Sequence, residues 1–268
     1  MLLTLALAFL AQAAQQPTAP PPVEPSDDIV VTGLRDIDDP ESPVTRRTLG
    51  SSKVGRGATS SRQAFGLAER FARCAIKPDM RGLRELRGAL DGTINGARQA
   101  FQQQRFVQLN ATCAQEPQVA LSGGVATLMD GYPSAYYDRG AMFLQAIRTF
   151  VPDLTLTKEQ TADPAVQARF NARETTLAQF RLPADRTYFE TAVCLVRLQP
   201  ELSVRLLRVT DYPSVGRIEA AIINGARACT GNARKVYFDP TQFRFYIADA
   251  VYRWAVAAQG VDSLIPAA

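Results

Sequence analysis

The strongest constraint on this chain is where its four cysteines stand. Cys74 and Cys113 are 39 positions apart, and Cys194 and Cys229 are 35 apart. Each pair encloses a proline close behind its first cysteine, Pro78 in one case and Pro200 in the other. The same order of cysteine, proline and cysteine, spread over similar intervals, reads as one unit present twice. A duplicated unit has to be closed in itself. Of the three connectivities open to four cysteines, Cys74–Cys113 with Cys194–Cys229 is therefore the expected one. Thiolate catalysis and zinc binding are poor alternatives, because neither a Cys-x-x-Cys nor any close cysteine pair is present.

The segments around the cysteines carry helical periodicity. In the second copy Phe189, Ala192, Val193 and Val196 recur at the spacing of one buried helix face, with Cys194 beside it. Pro200 ends that helix and opens another, with Glu201 in its first turn. Val215, Ile218, Ile222, Ala226 and Cys229 mark a third helix. Val236 to Phe238 alternates as a short extended piece, and Asp239-Pro240 opens a last helix along Phe243, Ile247, Ala250, Trp254 and Ala258. The first copy follows the same order. Ser60 and Gln63 suggest a capping box, Ala64, Ala68, Phe71 and Ala75 a stripe, and Pro78-Asp79 a new helix. Ile94 to Cys113 reads as one long helix, Val119 to Leu121 as the extended piece and Tyr136 to Phe150 as the closing helix. Between the copies, Asp163-Pro164 caps a connecting helix with Val166, Phe170, Leu177 and Phe180 on its stripe.

The expected fold is all-α: two related disulfide-containing helical bundles after a disordered N-terminal tail. The expected divisions are a signal peptide (1–14), the tail (15–60), a first repeat (61–151), a connector (152–184) and a second repeat (185–268). The block Cys194-x5-Pro200-x5-Leu206-Leu207-x21-Cys229, with Val236-x-Phe238 and the ending Ala250-Val251-Tyr252-Arg253-Trp254, resembles a group of secreted proteins from sphingomonad-type alphaproteobacteria. Those proteins consist of one or two helical repeats with a cysteine pair each. The resemblance covers Tyr188 to Trp254 well and Phe65 to Tyr137 loosely. It implies a fold and a location, and it carries no activity.

Composition narrows the chemistry. The chain has no histidine, which excludes Ser-His-Asp and Cys-His catalysis, histidine-ligated metals and imidazole acid–base work. Leu2 to Leu10 is an apolar run too short to span a bilayer, and Ala11-Gln12-Ala13 fits a signal-peptidase site. Export to the periplasm follows as the expected location, with no membrane span after cleavage. The tail is rich in proline, glycine, serine and charge, a composition that leaves too little apolar surface to order itself. Within it, Asp27-Asp28-Ile29-Val30-Val31-Thr32-Gly33-Leu34-Arg35 resembles the segment that opens the plug of TonB-dependent receptors. Nothing after it resembles a plug or a barrel. Ile29, Val30, Val31 and Thr32 form a candidate partner strand, able to pair by edge addition, with a plain apolar patch as the alternative.

The remaining candidates are charged. Arg81, Arg84 and Arg87 lie three apart on one predicted helix, and Arg205 and Arg208 lie on the matching helix. Guanidinium forks suit phosphate or carboxylate, so these mark a candidate anion or partner surface. A solvated helix face is the alternative. No basic run is interleaved with aromatics, so nucleic acid is not an expected partner. Asp130, Asp138, Glu190 and Asp211 are the carboxylates that could flank a substrate, but no spacing marks a pair. The sequence points to a non-enzymatic interaction or scaffold module of the cell envelope, with an envelope protein or anionic polymer as partner and no cofactor. A carboxylate enzyme acting on envelope polysaccharide, or a small-ligand carrier, is the alternative.

Overall fold

The computed structural model describes residues 29–30, 58–113, 136–233, 236–238 and 240–267. The expected leader and nearly all of the expected tail, including Val31 and Thr32, lie outside the described residues, as does the extended piece expected at Val119 to Leu121. The described part is all-α. It has ten α-helices and one short two-stranded pairing.

In chain order, β1 is Ile29–Val30, α1 is Ala58–Ala75, α2 is Leu83–Asp91 and α3 is Ala97–Leu109, followed by a 3-10 turn, Ala111–Cys113. Next come α4 (Tyr136–Phe150), α5 (Lys158–Ala162), α6 (Pro164–Leu177), α7 (Pro183–Leu198), α8 (Pro200–Arg208) and α9 (Tyr212–Gly225). A second 3-10 turn (Arg227–Thr230), β2 (Val236–Tyr237) and α10 (Pro240–Gln259) complete the list. The order is the same on either side of the α5–α6 connector. A helix carrying a cysteine leads to a nine-residue helix, a longer helix, a 3-10 turn carrying the second cysteine, and a closing helix. Both bridges are formed, Cys74–Cys113 and Cys194–Cys229, each across a Cα separation of 5.6 Å.

Helix starts follow local chemistry. Pro183, Pro200 and Pro240 each occupy a first helical position, where the missing N–H costs nothing. Asp163 accepts from the Ala165 N–H at the start of α6, and Asp211 from the Ser214 N–H at the start of α9. Several boundaries differ from the sequence expectation: the helices expected to reach Cys113, Cys229 and Phe180 end at Leu109, Gly225 and Leu177, and three starts differ as well. α1 begins at Ala58, two residues before Ser60 and inside the expected tail. The helix expected to open at Pro78 starts at Leu83, because Gly82 is left-handed with φ 89°. The helix expected from Ile94 starts at Ala97, because Asn95 also has positive φ, 58°, and its Nδ2 bonds to the Phe180 carbonyl.

α10 organises the packing. It lies along α4 and also carries α6, α7, α8 and α9, while α1 covers α4. Its residues Thr241 to Ala257 are all buried. A helix enclosed on every side has no solvated face on which to leave charge, and this one contains Arg244, Asp249 and Arg253. α4 comes close at Gly140, where a β-carbon would stand 2.3 Å from Cγ of Phe245. One hydrophobic cluster runs from Ala68 in α1 to Ile265 beyond α10, so both disulfide-closed halves share a core.

Candidate functional site

Three places bring polar chemistry together. The first surrounds Asp249. Arg181 Nη2 donates to Asp249 Oδ2 at 2.8 Å and Nη1 to Asp185 Oδ2 at 3.0 Å. Arg253 donates through Nε to Asp249 Oδ1 and through Nη1 to Glu174 Oε1 at 2.8 Å. Arg139 stands 3.7 Å from Asp185, which also accepts from the Tyr246 hydroxyl at 3.0 Å. The Arg181 guanidinium lies 3.7 Å over the Phe189 ring. Three guanidiniums thus face three carboxylates from α4, α6, α7, α10 and the α6–α7 turn. Burial alone pushes the Asp249 carboxyl up, and Arg253, Arg181 and Arg139 together overcome it, holding it well below the usual carboxylate range. The six charges neutralise one another inside the core, which is structural work.

A neighbouring cluster ties α2 to the same helix. The Tyr252 hydroxyl donates to Asp91 Oδ1 at 3.0 Å and lies 3.0 Å from the Ser263 hydroxyl, while Arg173 donates to Asp91 at 3.1 Å. Burial raises the Asp91 carboxyl above its ordinary value, with Ser263, Arg173 and Tyr252 opposing.

The second place is a half-open cleft of about 190 Å³ between α6 and α7. Its floor is Phe170 stacked on Trp254, ring centroids 4.3 Å apart, and its rim holds Glu190, Arg197 and Asn171. It is smaller than the roughly 300–1,000 Å³ usual for ligand sites, and it holds one carboxylate. Glu190 is therefore exposed there without an acid opposite it. Asp211 is used as a cap, Asp130 lies outside the described residues, and no side-chain position is described for Asp138. Tyr252 and Trp254 belong to the core. Among the described residues no cluster of three or more His, Cys, Asp or Glu could hold a metal, and no helix is long and apolar enough to cross a membrane.

The third place is the outer face of α2 and α3. α2 runs antiparallel to α3 at close range: Gly82 sits against Leu109, Gly88 against Gln102 and Gly92 against Gln99. Arg98, Phe101, Arg105 and Leu109 line the outer side of α3 at steps of three, four and four, and all are exposed. Phe101 is 61% exposed and Leu109 46%. α3 contains no acid. Arg81 and Arg84 are exposed at the start of α2, with Arg84 3.0 Å from Glu85.

The arginines singled out from sequence divide accordingly. Arg81 and Arg84 stand on this face, although Arg81 precedes the helix. Arg87 is turned to Asp91, 3.9 Å away. Arg205 is exposed on α8. Arg208 donates to the Pro152 and Leu154 carbonyls, holding the α4–α5 loop. Arg98, Phe101 and Arg105 were missed, although arginine and apolar residues at helical spacing in a run without acids was a readable signal. Ile29 and Val30 pair in parallel with Val236 and Tyr237 of the same chain.

No family model, no curated protein and no solved structure matches this chain.

Proposed function

We propose that this protein is an extracytoplasmic helical interaction module that holds an anionic envelope partner on its α2–α3 face. The observation that carries the reading is the row Arg98, Phe101, Arg105 and Leu109. Among the described residues its two arginines stand in no close ion pair, Arg105 acting on Glu85 only at longer range, whereas Arg181 and Arg253 beside α10 are matched to carboxylates. Exposed guanidiniums beside exposed apolar side chains form a surface suited to binding and unsuited to catalysis. Two disulfides suit an oxidising compartment such as the periplasm. The shared element order supports an origin by duplication of a disulfide-closed unit, after which the first copy's nine-residue and following helices acquired the binding row.

The test places a photocrosslinking residue at Gln108, exposed beside the row, and at Arg217 on α9 as a control, in intact envelopes. Adducts are expected at 108 and not at 217, and Arg98→Gln with Arg105→Gln should suppress them. Equal adduct yields at both positions, or yields indifferent to the arginine changes, would reject the reading.

A further inference from the structure

We propose that the partner on the α2–α3 face is the surface of an anionic phospholipid bilayer, with the arginines on headgroup phosphates and Phe101 and Leu109 inside the headgroup layer. The proposal rests on the reading of that face as the partner surface, and names the partner's chemistry.

Phe101 and Leu109 are eight residues apart on one side of a 13-residue helix, about 12 Å along its axis at the usual rise. Arg105 stands between them and Arg98 just before them. Across the close α2–α3 seam, Arg84 adds a side chain that is 79% exposed and Arg81 adds another. Among the described residues the acids nearby are Glu85, which accepts from Arg84 and also lies in the field of Arg105, and Asp79 in the preceding turn. An anionic polysaccharide would engage the cations and leave both apolar side chains in water. A bilayer engages both sets at once, because an interfacial helix buries its apolar side chains at headgroup depth while flanking arginines meet phosphate. Guanidinium also matches phosphate geometry in two-point contact. The face is held rigid: the Cys74–Cys113 bridge fixes the chain four residues past Leu109 to α1, so little order has to be gained on binding.

The experiment is vesicle co-sedimentation of the full chain, using equal parts phosphatidylglycerol and phosphatidylcholine against phosphatidylcholine alone. Binding to the anionic vesicles only is expected. Arg98→Gln with Arg105→Gln, and separately Phe101→Ser, should each weaken it at least tenfold, while Arg205→Gln on α8 leaves it unchanged. Each changed side chain is exposed, and an unaltered thermal melt verifies the fold. The bilayer inference is overturned by absence of binding to anionic vesicles. It is also overturned if Phe101→Ser has no effect, which would mark purely ionic attraction such as an acidic polymer would share. If vesicles do not bind but the Gln108 crosslink to an envelope protein survives, the interaction module stands and only the bilayer falls. If neither occurs, both fall.

Discussion

At the scale of single residues, the chain's main commitment is Asp249. Its carboxylate is enclosed between Arg181 and Arg253, and removing one partner from a buried ion cluster costs far more than the cluster contributes over an apolar packing. Asp249→Asn keeps the shape and removes the charge, leaving three guanidiniums with only Asp185 and Glu174 to share. A loss of about 3–5 kcal/mol at neutral pH is expected from urea unfolding. The pH dependence follows from the direction of the shift. The folded carboxyl lies below its unfolded value of about 3.9, so its contribution is complete above that value and lost as pH falls through the folded one. The gap between the native protein and Asp249→Asn should therefore close in acid, below about pH 4. Asp91 is shifted the other way and pulls total stability in the opposite sense. The difference between the two proteins is thus the quantity to measure, and a gap that stays constant down to pH 2 would contradict the assignment. Sequence reading did not find this cluster. Asp249 and Arg253 are i,i+4, the spacing of an ordinary surface pair, and only the apolar residues on every other side of α10 mark it as buried.

At the scale of elements, two glycines in helices make opposite predictions for one substitution. A β-carbon on Gly140 would meet Phe245 at 2.3 Å, with Cβ and Cδ1 of that side chain also inside 3 Å, so α4 and α10 would have to separate. Gly140→Ala is expected to destabilise by about 1–3 kcal/mol. Gly216 lies within α9 with nothing within 4 Å of the same position. Gly216→Ala should stabilise by about 0.5–1 kcal/mol, the helical advantage of alanine. Paired thermal melts decide it, and a Gly140→Ala protein as stable as the native one would mean the seam is looser than described. Helix identity was legible because prolines, caps and apolar stripes are local signals. Pro200 opened α8 and Asp163 capped α6 as expected. Contacts between helices were not legible, since nothing near Gly140 in sequence announces Phe245. In the first disulfide-closed half, boundaries differed where a backbone with positive φ, Gly82 or Asn95, stopped a periodic pattern that continued through it.

At the scale of the whole molecule, each bridge closes its own half, but the halves do not have separate cores. Cysteine arithmetic and the repeat argument reached the connectivity because both depend on chain order. The shared core depends on α4 meeting α10, which chain order does not state. The energetics follow from that combination. Opening Cys194–Cys229 by the double change Cys194→Ala and Cys229→Ala frees a loop of 35 residues and should cost roughly 4 kcal/mol by chain entropy. Were the halves independent, the second alone would weaken. Here α10, which the second half contributes, also covers α4 and α1 of the first, and its Tyr252 holds Asp91 at the end of α2. The loss should therefore be felt across the molecule. Amide exchange in α1 and α4 should accelerate along with that in α7 and α9, and near-ultraviolet dichroism from Trp254 should melt together with far-ultraviolet helicity at one lowered temperature. Exchange that quickens in α7 to α10 while α1 and α4 keep their native protection would show two separately stable units, and would refute the single core.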